Sequence, residues 1–176
     1  MERKGDGRTV WAKPLHLLSS SSCWRVCNLC MAFFFALAAY VQVNDPDAGI
    51  WIVAYLIPAA LSFLVGLNPP VTENFIWKHL SLMHICMCFV VATLWGWYLH
   101  RNAKNSIFHE EEGREFLGLV IIIIWMLLCR DSGKYLSGFR ISAAVFITVF
   151  PFITWFYYYI NKELRTSWPE HCKNTI

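Results

Sequence analysis

The feature that most constrains this chain is a set of long, nearly uninterrupted apolar blocks. Three of them cover residues 23–43, 50–67 and 77–99. A helix of about 20 consecutive apolar residues matches the roughly 30 Å hydrocarbon core of a bilayer. Charged residues make up 15% of the chain, whereas a soluble domain carries about a quarter. The sequence therefore predicts an integral membrane protein.

Two further blocks, at residues 114–130 and 141–160, bring the expected number of spans to five. The apolar part of the fourth block, from Phe116 to Cys129, has 14 residues and is only about 21 Å long as a helix. If this block crosses, Arg114 and Arg130 must extend their charged groups outward. A core or re-entrant segment is the alternative for this length. We predict a crossing, and hence an all-α, polytopic transmembrane helix bundle of about five spans.

Polar segments and prolines set the ends of these spans. The first span ends at the turn Gln42–Asp47, and the second ends before Pro69-Pro70, because successive prolines do not continue a helix. Pro151 inside the fifth span is tolerated where neighbouring helices satisfy the carbonyl that it leaves free. Residues 1–22 form a polar amino-terminal tail that we expect to be disordered, and residues 161–176 form a polar carboxyl-terminal tail.

The distribution of charged residues predicts the orientation of the bundle. With five crossings, nine basic residues share the face of the amino terminus: Arg3, Lys4, Arg8, Lys13, Arg25, Lys78, Arg130, Lys134 and Arg140. Six lie on the opposite face: Arg101, Lys104, Arg114, Lys162, Arg165 and Lys173. Because basic residues concentrate on the cytosolic side, the amino terminus is expected in the cytosol. The opposite face carries eight of the 12 acidic residues, so we expect any functional site there.

Composition argues against several classes of function. The net charge of +3, without a basic patch interleaved with aromatic residues, argues against nucleic acid as a partner. The seven cysteines lack the paired spacing of a structural zinc site. No Asp, Glu, Lys or Arg lies clearly inside a span, which argues against a coupled pump. We expect the lipid bilayer as a partner, a protein in the membrane as a further candidate partner, and no cofactor.

The turn Asn44-Asp45-Pro46-Asp47 is the most distinctive short motif. One interpretation is structural: Asp45 caps the second helix, Pro46 takes its first position, and Asp47 complements the helix dipole. The other interpretation is functional, with Asp45 and Asp47 binding a cation or a polar headgroup at the membrane face. We favour the cap.

A second motif follows the third span: His109-Glu110-Glu111-Glu112-Gly113-Arg114-Glu115. On a helix, His109 and Glu112 share a face, and Glu110 can pair with Arg114. Carboxylates and an imidazole together suit a divalent metal ion. Acids at the start of a helix also stabilise its dipole while remaining solvated, and we favour that role. Two spans separate this motif from the Asn-Asp-Pro-Asp turn, so the two motifs are expected to be neighbours at one face.

Side chains within the spans supply further candidates. His84 lies inside the third span, where it forms either an interhelical hydrogen bond or a ligand bond to haem or a metal ion. Cys23, Cys27 and Cys30 fall on one face of the first helix near its cytosolic end. Cysteines in such positions, Cys23 and Cys27 above all, are candidates for palmitoylation. Packing is the alternative role, and we favour it for both the thiols and the imidazole.

Several motifs in fixed order carry a resemblance to a known family. They are Val41-Gln42-Val43-Asn44-Asp45-Pro46-Asp47 with Trp51 and Tyr55, Gly66-Leu67-Asn68-Pro69, the His109–Glu115 motif, Phe150-Pro151-Phe152-Ile153, and Tyr159-Ile160-Asn161-Lys162-Glu163 with Trp168-Pro169. On these residues the chain, from about Cys23 onward, resembles the transmembrane protein 220 family. The resemblance implies an integral membrane protein of unassigned biochemical role, and it supplies no catalytic residues.

Three classes of function remain open from the sequence. We favour a multi-pass membrane protein that is not an enzyme and acts through lipid or protein contacts in the bilayer. The alternative is a small membrane enzyme or metal-binding protein that uses an acidic face built from Asp45, Asp47, His109 and Glu112. A channel or carrier is the third, and it is disfavoured by the uncharged spans and the absence of internal repeats.

Overall fold

The computed structural model describes residues 15–102, 111–130 and 138–161. These residues form five α-helices: α1 (Leu15–Val41), α2 (Ala48–Leu67), α3 (Phe75–Asn102), α4 (Glu111–Arg130) and α5 (Gly138–Ile160). Short 3-10 helices at Gln42–Asn44 and Pro69–Glu73 join the first three. The all-α class predicted from the sequence is confirmed.

Three of the described helices are long and apolar enough to cross a membrane. The qualifying segments are Ser20–Asn44, Ala48–Leu67 and Phe75–Tyr98, and Gly138–Thr154 forms a shorter apolar helix. Helix α1 begins at Leu15, ahead of the start expected at residue 23. The extension takes in the serines at positions 19–22, because adding residues to an existing helix costs far less than nucleating one.

Helices α1 and α2 form the most extensive helix pair, and an arginine closes it. Arg25 on α1 donates hydrogen bonds from Nε to the carbonyl of Gly66 (2.9 Å) and from Nη2 to that of Leu67 (3.0 Å). These carbonyls belong to the last turn of α2, where no intrahelical donor remains. Gly66 allows this approach, since a Cβ there would lie 2.7 Å from Cδ2 of Leu29.

Helix α4 lies antiparallel to α3 and is bonded to it near both ends. Arg130 Nη1 donates to the carbonyl of Lys78 (2.6 Å) and to Oγ of Ser81 (3.2 Å). At the other end, Trp95 Nε1 donates to a carboxylate oxygen of Glu115 (3.1 Å). The segment of α3 from Lys78 to Trp95 is about 26 Å long at 1.5 Å per residue. Helix α4 therefore covers nearly the depth of a hydrocarbon core, which supports the predicted crossing.

Helix α5 packs against α1 and α4. Arg140 Nη2 donates to the carbonyl of Leu128 (2.9 Å), and its guanidinium lies 4.9 Å from the ring centroid of Trp24. Farther along, the rings of Phe34 and Phe152 meet edge to face at 5.9 Å. These contacts place α5 parallel to α1. Arg25, Arg130 and Arg140 consequently gather at one end of the bundle, which we call the arginine end.

Polar side chains inside the bundle are bonded to one another across helices. Trp125 stacks on Trp24 with centroids 6.1 Å apart and donates its Nε1–H to Oγ of Ser62 (3.0 Å). Cys129 donates its S–H to Oδ1 of Asn28 (3.3 Å). A buried polar group without a partner is costly in an apolar medium. These bonds therefore fix which faces of α1, α2 and α4 meet.

The pairing of α4 with α3 predicts the sidedness of the two connections that flank α4. A reporter fused after Asn105 and a second fused after Lys134 should lie on opposite sides of the membrane, because one crossing separates them. Glycosylation or protease protection of each fusion measures this. Finding both reporters on the same side would show that α4 is re-entrant.

Candidate functional site

The Asn-Asp-Pro-Asp turn is hydrogen-bonded to the first turn of α2 through the indole of Trp51. Helix α2 begins at Ala48, and its N-cap residue is Asp47, whose carboxylate makes no capping bond. The Oδ2 atom of Asp47 instead accepts a hydrogen bond from Nε1 of Trp51 (2.9 Å). The prediction that Asp45 caps α2 is wrong, because the chain first makes a turn in which the Asp45 carbonyl accepts the N–H of Ala48 (3.2 Å).

A second carboxylate and a second indole extend this contact to α3 and α4. Trp95 is half-buried on α3 and donates its Nε1–H to Glu115 on α4. The rings of Trp51 and Trp95 meet edge to face, with centroids 6.4 Å apart. Edge-to-face contact suits the charge distribution of aromatic rings. We call Asp47, Trp51, Trp95 and Glu115 the carboxylate–indole chain, and the end of the bundle that holds it the carboxylate end.

The carboxylate–indole chain joins the two acidic motifs singled out in the sequence. Asp47 belongs to the first motif and Glu115 to the second, so both lie at one end, as the two intervening spans require. Asp45 is half-buried in the turn. Glu111, Glu112 and Arg114 belong to the first turns of α4, but their side chains lie outside the described part of the molecule. His109 and Glu110 lie outside it altogether.

The described residues do not form a metal site. Among them, no group of three or more His, Cys, Asp or Glu side chains could hold a metal ion. Both carboxylates of the chain accept an indole N–H: Asp47 within the start of α2, and Glu115 across from α3 to α4. A metal site built on the second motif would depend on His109, Glu110, Glu111 and Glu112, whose side chains are outside the described ranges.

His84 is buried between α3 and α2, with 7% of its surface exposed. Its Nε2 lies 3.5 Å from Sγ of Cys88, one turn along the same helix, and its ring faces the Ala54 backbone on α2. The other two histidines with described side chains, His79 and His100, are exposed. His84 thus occupies the position expected of an interhelical packing residue.

The cysteines proposed for palmitoylation differ in exposure. All three thiols on this face of α1 are free. Cys27 is buried, with 6% of its surface exposed, and belongs to the core around Trp24. Cys23 and Cys30 are half-buried. Of the two leading candidates, Cys23 is therefore the more accessible.

Tyr55 connects the carboxylate–indole chain to the backbone of α4. Its ring packs on Trp51 with centroids 6.4 Å apart, and the side chain is buried. Its hydroxyl lies directly against Gly118, where a Cβ atom would clash with Oη and would lie 3.0 Å from Cζ. Gly118 is thus required for α2 and α4 to approach at this level.

An apolar groove opens beside the carboxylate–indole chain, between α3 and α4. It encloses about 520 Å³. Its small residues lie on α3, where a Cβ atom added to Gly96 would lie 3.2 Å from the ring of Phe116. We call it the α3–α4 groove; its lining residues are Phe89, Ala92, Thr93, Gly96, Trp97, His100, Phe116, Val120, Ile123 and Ile124. Several of these side chains are exposed at the outer surface of the bundle, so the groove opens sideways.

Neither the groove nor the pairing of the two indoles could be predicted from the sequence. A tryptophan near the end of an apolar block is expected at headgroup depth, which accounts for the position of Trp95 but not for its bond to Glu115. The spacing of Asp47 and Trp51, four residues apart at a helix start, is a signal that could have identified the first bond. The groove has no such signal, because it depends on how closely α3 and α4 approach.

Removing the acceptor for Trp51 should destabilise the protein. We expect Asp47→Ala to lower the free energy of unfolding by about 1 kcal/mol, the net worth of one hydrogen bond, and Asp47→Asn to cost less because its amide oxygen still accepts. In a Trp51→Phe background the Asp47→Ala cost should disappear. Denaturant titration in detergent measures these values, with Glu73→Ala as the exposed control; an equal cost in both backgrounds would show that Asp47 acts elsewhere.

A methyl group at Gly118 should be poorly tolerated. We expect Gly118→Ala to cost about 1–3 kcal/mol through overpacking against Tyr55, and Tyr55→Phe to restore part of that loss by removing the clashing hydroxyl. Gly49→Ala is the matched control, since nothing lies within 4 Å of a Cβ at that position. Thermal unfolding of the purified variants gives the comparison. Equal melting temperatures for the two alanine variants would contradict the close approach of α2 and α4.

Comparison with known proteins assigns the chain to a family. A family model described as "Transmembrane family 220, helix" matches residues 34–131, a range that includes the whole carboxylate–indole chain. Transmembrane protein 220 from Xenopus laevis is 49% identical over 154 residues, which cover 87% of this chain and 84% of that protein. No solved structure is significantly similar. With a family model spanning more than half of its length and a relative this similar, the chain belongs to transmembrane family 220.

Proposed function

We propose that the protein acts without catalysis, by holding lipid in the α3–α4 groove within the membrane. The observation that carries this proposal is the groove itself. It is lined almost wholly by apolar side chains, it opens toward the surrounding bilayer, and it runs past the Trp95–Glu115 bond. Acyl chains are the molecules that surround such an opening in a membrane.

The energetics of packing favour an acyl chain as the occupant. Atoms that line a gap between helices lose the dispersion contacts that they would make in a closely packed interface. Water would find few polar partners among these lining residues. A lipid chain restores the lost contacts without placing a polar group in the groove.

The rest of the described bundle supports a binding role over the alternatives. Asp47 and Glu115 are each bound to an indole: Asp47 bonds within the start of α2, and Glu115 joins α4 to α3 at the carboxylate end. The bundle interior is filled by large side chains, with Phe35, Trp125 and Met126 fully buried. A closed interior and an open lateral groove are the features of a protein that engages lipid at its flank.

We propose further that the amino terminus is cytosolic, so the groove faces the leaflet on the opposite side. The arginines support this orientation, because Arg25, Arg130 and Arg140 meet at the end that includes the start of α1. Basic residues favour the cytosolic side of a membrane.

This orientation predicts where the chain ends lie. A reporter fused at Gly5 should be cytosolic and one fused after Thr175 should be extracytosolic, because five crossings separate them. Selective permeabilisation of the plasma membrane measures the first, and glycosylation of an added acceptor site measures the second. An extracytosolic Gly5 reporter would reverse the assignment of the groove to a leaflet.

Filling the groove should displace lipid. We expect Thr93→Trp to lower the amount of phospholipid that co-purifies with the protein several-fold, since the new ring occupies the groove. Leu94→Trp is the matched control: Leu94 is adjacent in sequence and exposed, but it does not line the groove. Lipid extraction and mass spectrometry give the ratio of lipid to protein. Equal ratios in the two variants, at wild-type stability, would refute lipid binding in the groove.

A further inference from the structure

The Arg101 side chain lies at the mouth of the α3–α4 groove and indicates which lipid headgroup the groove would accept. We propose that the groove takes one chain of a phospholipid from the leaflet at the carboxylate end, with Arg101 binding its phosphate. This inference rests on the proposed function and adds the headgroup, the leaflet and the residue that recognises them.

The length of the groove matches a single leaflet. Its lining residues on α3 run from Phe89 to His100, which is about 16 Å of helix. Half of a roughly 30 Å hydrocarbon core is about 15 Å. An acyl chain seated in the groove would reach the middle of the bilayer at Phe89 and would place its headgroup beside His100.

Arg101 follows His100 and lies where that headgroup would be. Its guanidinium carbon sits 4.8 Å from the ring centroid of Trp97, which itself lines the groove. Stacking of this kind is attractive and holds the side chain over the mouth of the groove. The N–H groups of a guanidinium bind phosphate oxygens in pairs.

The surroundings of Arg101 fit the headgroup region rather than the hydrocarbon. Trp97 and Tyr98 are exposed on α3 near Arg101, as expected of aromatic rings at headgroup depth. The last turn of α3 carries His100 and Arg101 as its basic residues. A phosphate there would therefore meet a cation at the rim and apolar side chains immediately below it.

Paired photoactivatable lipids test this assignment on the full chain. A phosphatidylcholine and a diacylglycerol, each with a diazirine midway along the same acyl chain, are added singly at equal low mole fraction to phosphatidylcholine vesicles containing the protein. Mass spectrometry of the digested protein then locates the adducts. We expect adducts on groove residues such as Phe89 and Ile123, with the phospholipid labelling about tenfold more than the diacylglycerol, in line with a charge-assisted hydrogen bond.

Variants of Arg101 separate the headgroup contact from the chain contact. In Arg101→Gln the ratio of phospholipid labelling to diacylglycerol labelling should fall toward one. Arg101→Lys should retain part of the preference because the charge remains. Lys78→Gln, an exposed cation at the arginine end, should leave the preference unchanged. Melting temperatures equal to that of the wild type would show that the Arg101 variants are folded.

The possible outcomes distinguish this inference from the proposed function. Equal labelling of the groove by both probes in the wild type would overturn the role of Arg101 and leave lipid binding in the groove standing. Labelling no stronger in the groove than at Met83, an exposed position of α3 outside it, would overturn both. A phospholipid preference that persists unchanged in Arg101→Gln would likewise overturn the role of Arg101.

Discussion

The hydrogen bonds that join α4 to α3 near both ends are the interaction on which the rest of the structure depends. The apolar part of α4 is too short to cross a bilayer comfortably, and a charged residue lies at each of its ends. Arg130 bound to the Lys78 carbonyl and Glu115 bound to Trp95 anchor those ends at two depths of α3. Both charges are thereby satisfied within the protein, which a membrane interior demands of polar groups.

Indole N–H groups supply several of the hydrogen bonds that satisfy polar groups inside the bundle. Besides the two indoles of the carboxylate–indole chain, Trp77 donates to the carbonyl of Leu61 (3.4 Å) and Trp125 donates to Ser62. Each indole buries a large apolar surface and offers one N–H to a partner on its own or a neighbouring helix. Helices that gain little from the hydrophobic effect inside lipid are thus held by packing and specific hydrogen bonds.

The same pairing of α3 with α4 leaves the groove. Gly118 against Tyr55 sets how closely α4 approaches α2, and the Trp95–Glu115 bond sets its approach to α3. Along the rest of this helix pair, small side chains of α3 such as Ala92 and Thr93 line the groove together with Val120 and Ile123 of α4. An open, apolar flank in one leaflet is therefore a consequence of how the two helices are fixed to each other.

The sequence predicts the helices better than it predicts the contacts between them. Apolar length and the Pro69-Pro70 pair placed the spans, and parity along the chain placed the two acidic motifs at one end. Local pattern rules assigned the cap to Asp45 because a proline follows it, but the turn delays the helix to Ala48. The bond between Trp95 and Glu115 joins residues 20 positions apart on different helices, and no periodicity along one helix encodes it.

The central claim is that α4 crosses the membrane along α3 and leaves a groove that lipid fills. A cryo-electron microscopy structure of the protein in phospholipid nanodiscs tests it most directly. The claim predicts α4 antiparallel to α3, Glu115 beside Trp95, and an elongated density running from Phe89 toward Arg101. A structure with no density in the α3–α4 groove, and with Val120 and Ile123 packed directly onto Phe89 and Ala92, would contradict it.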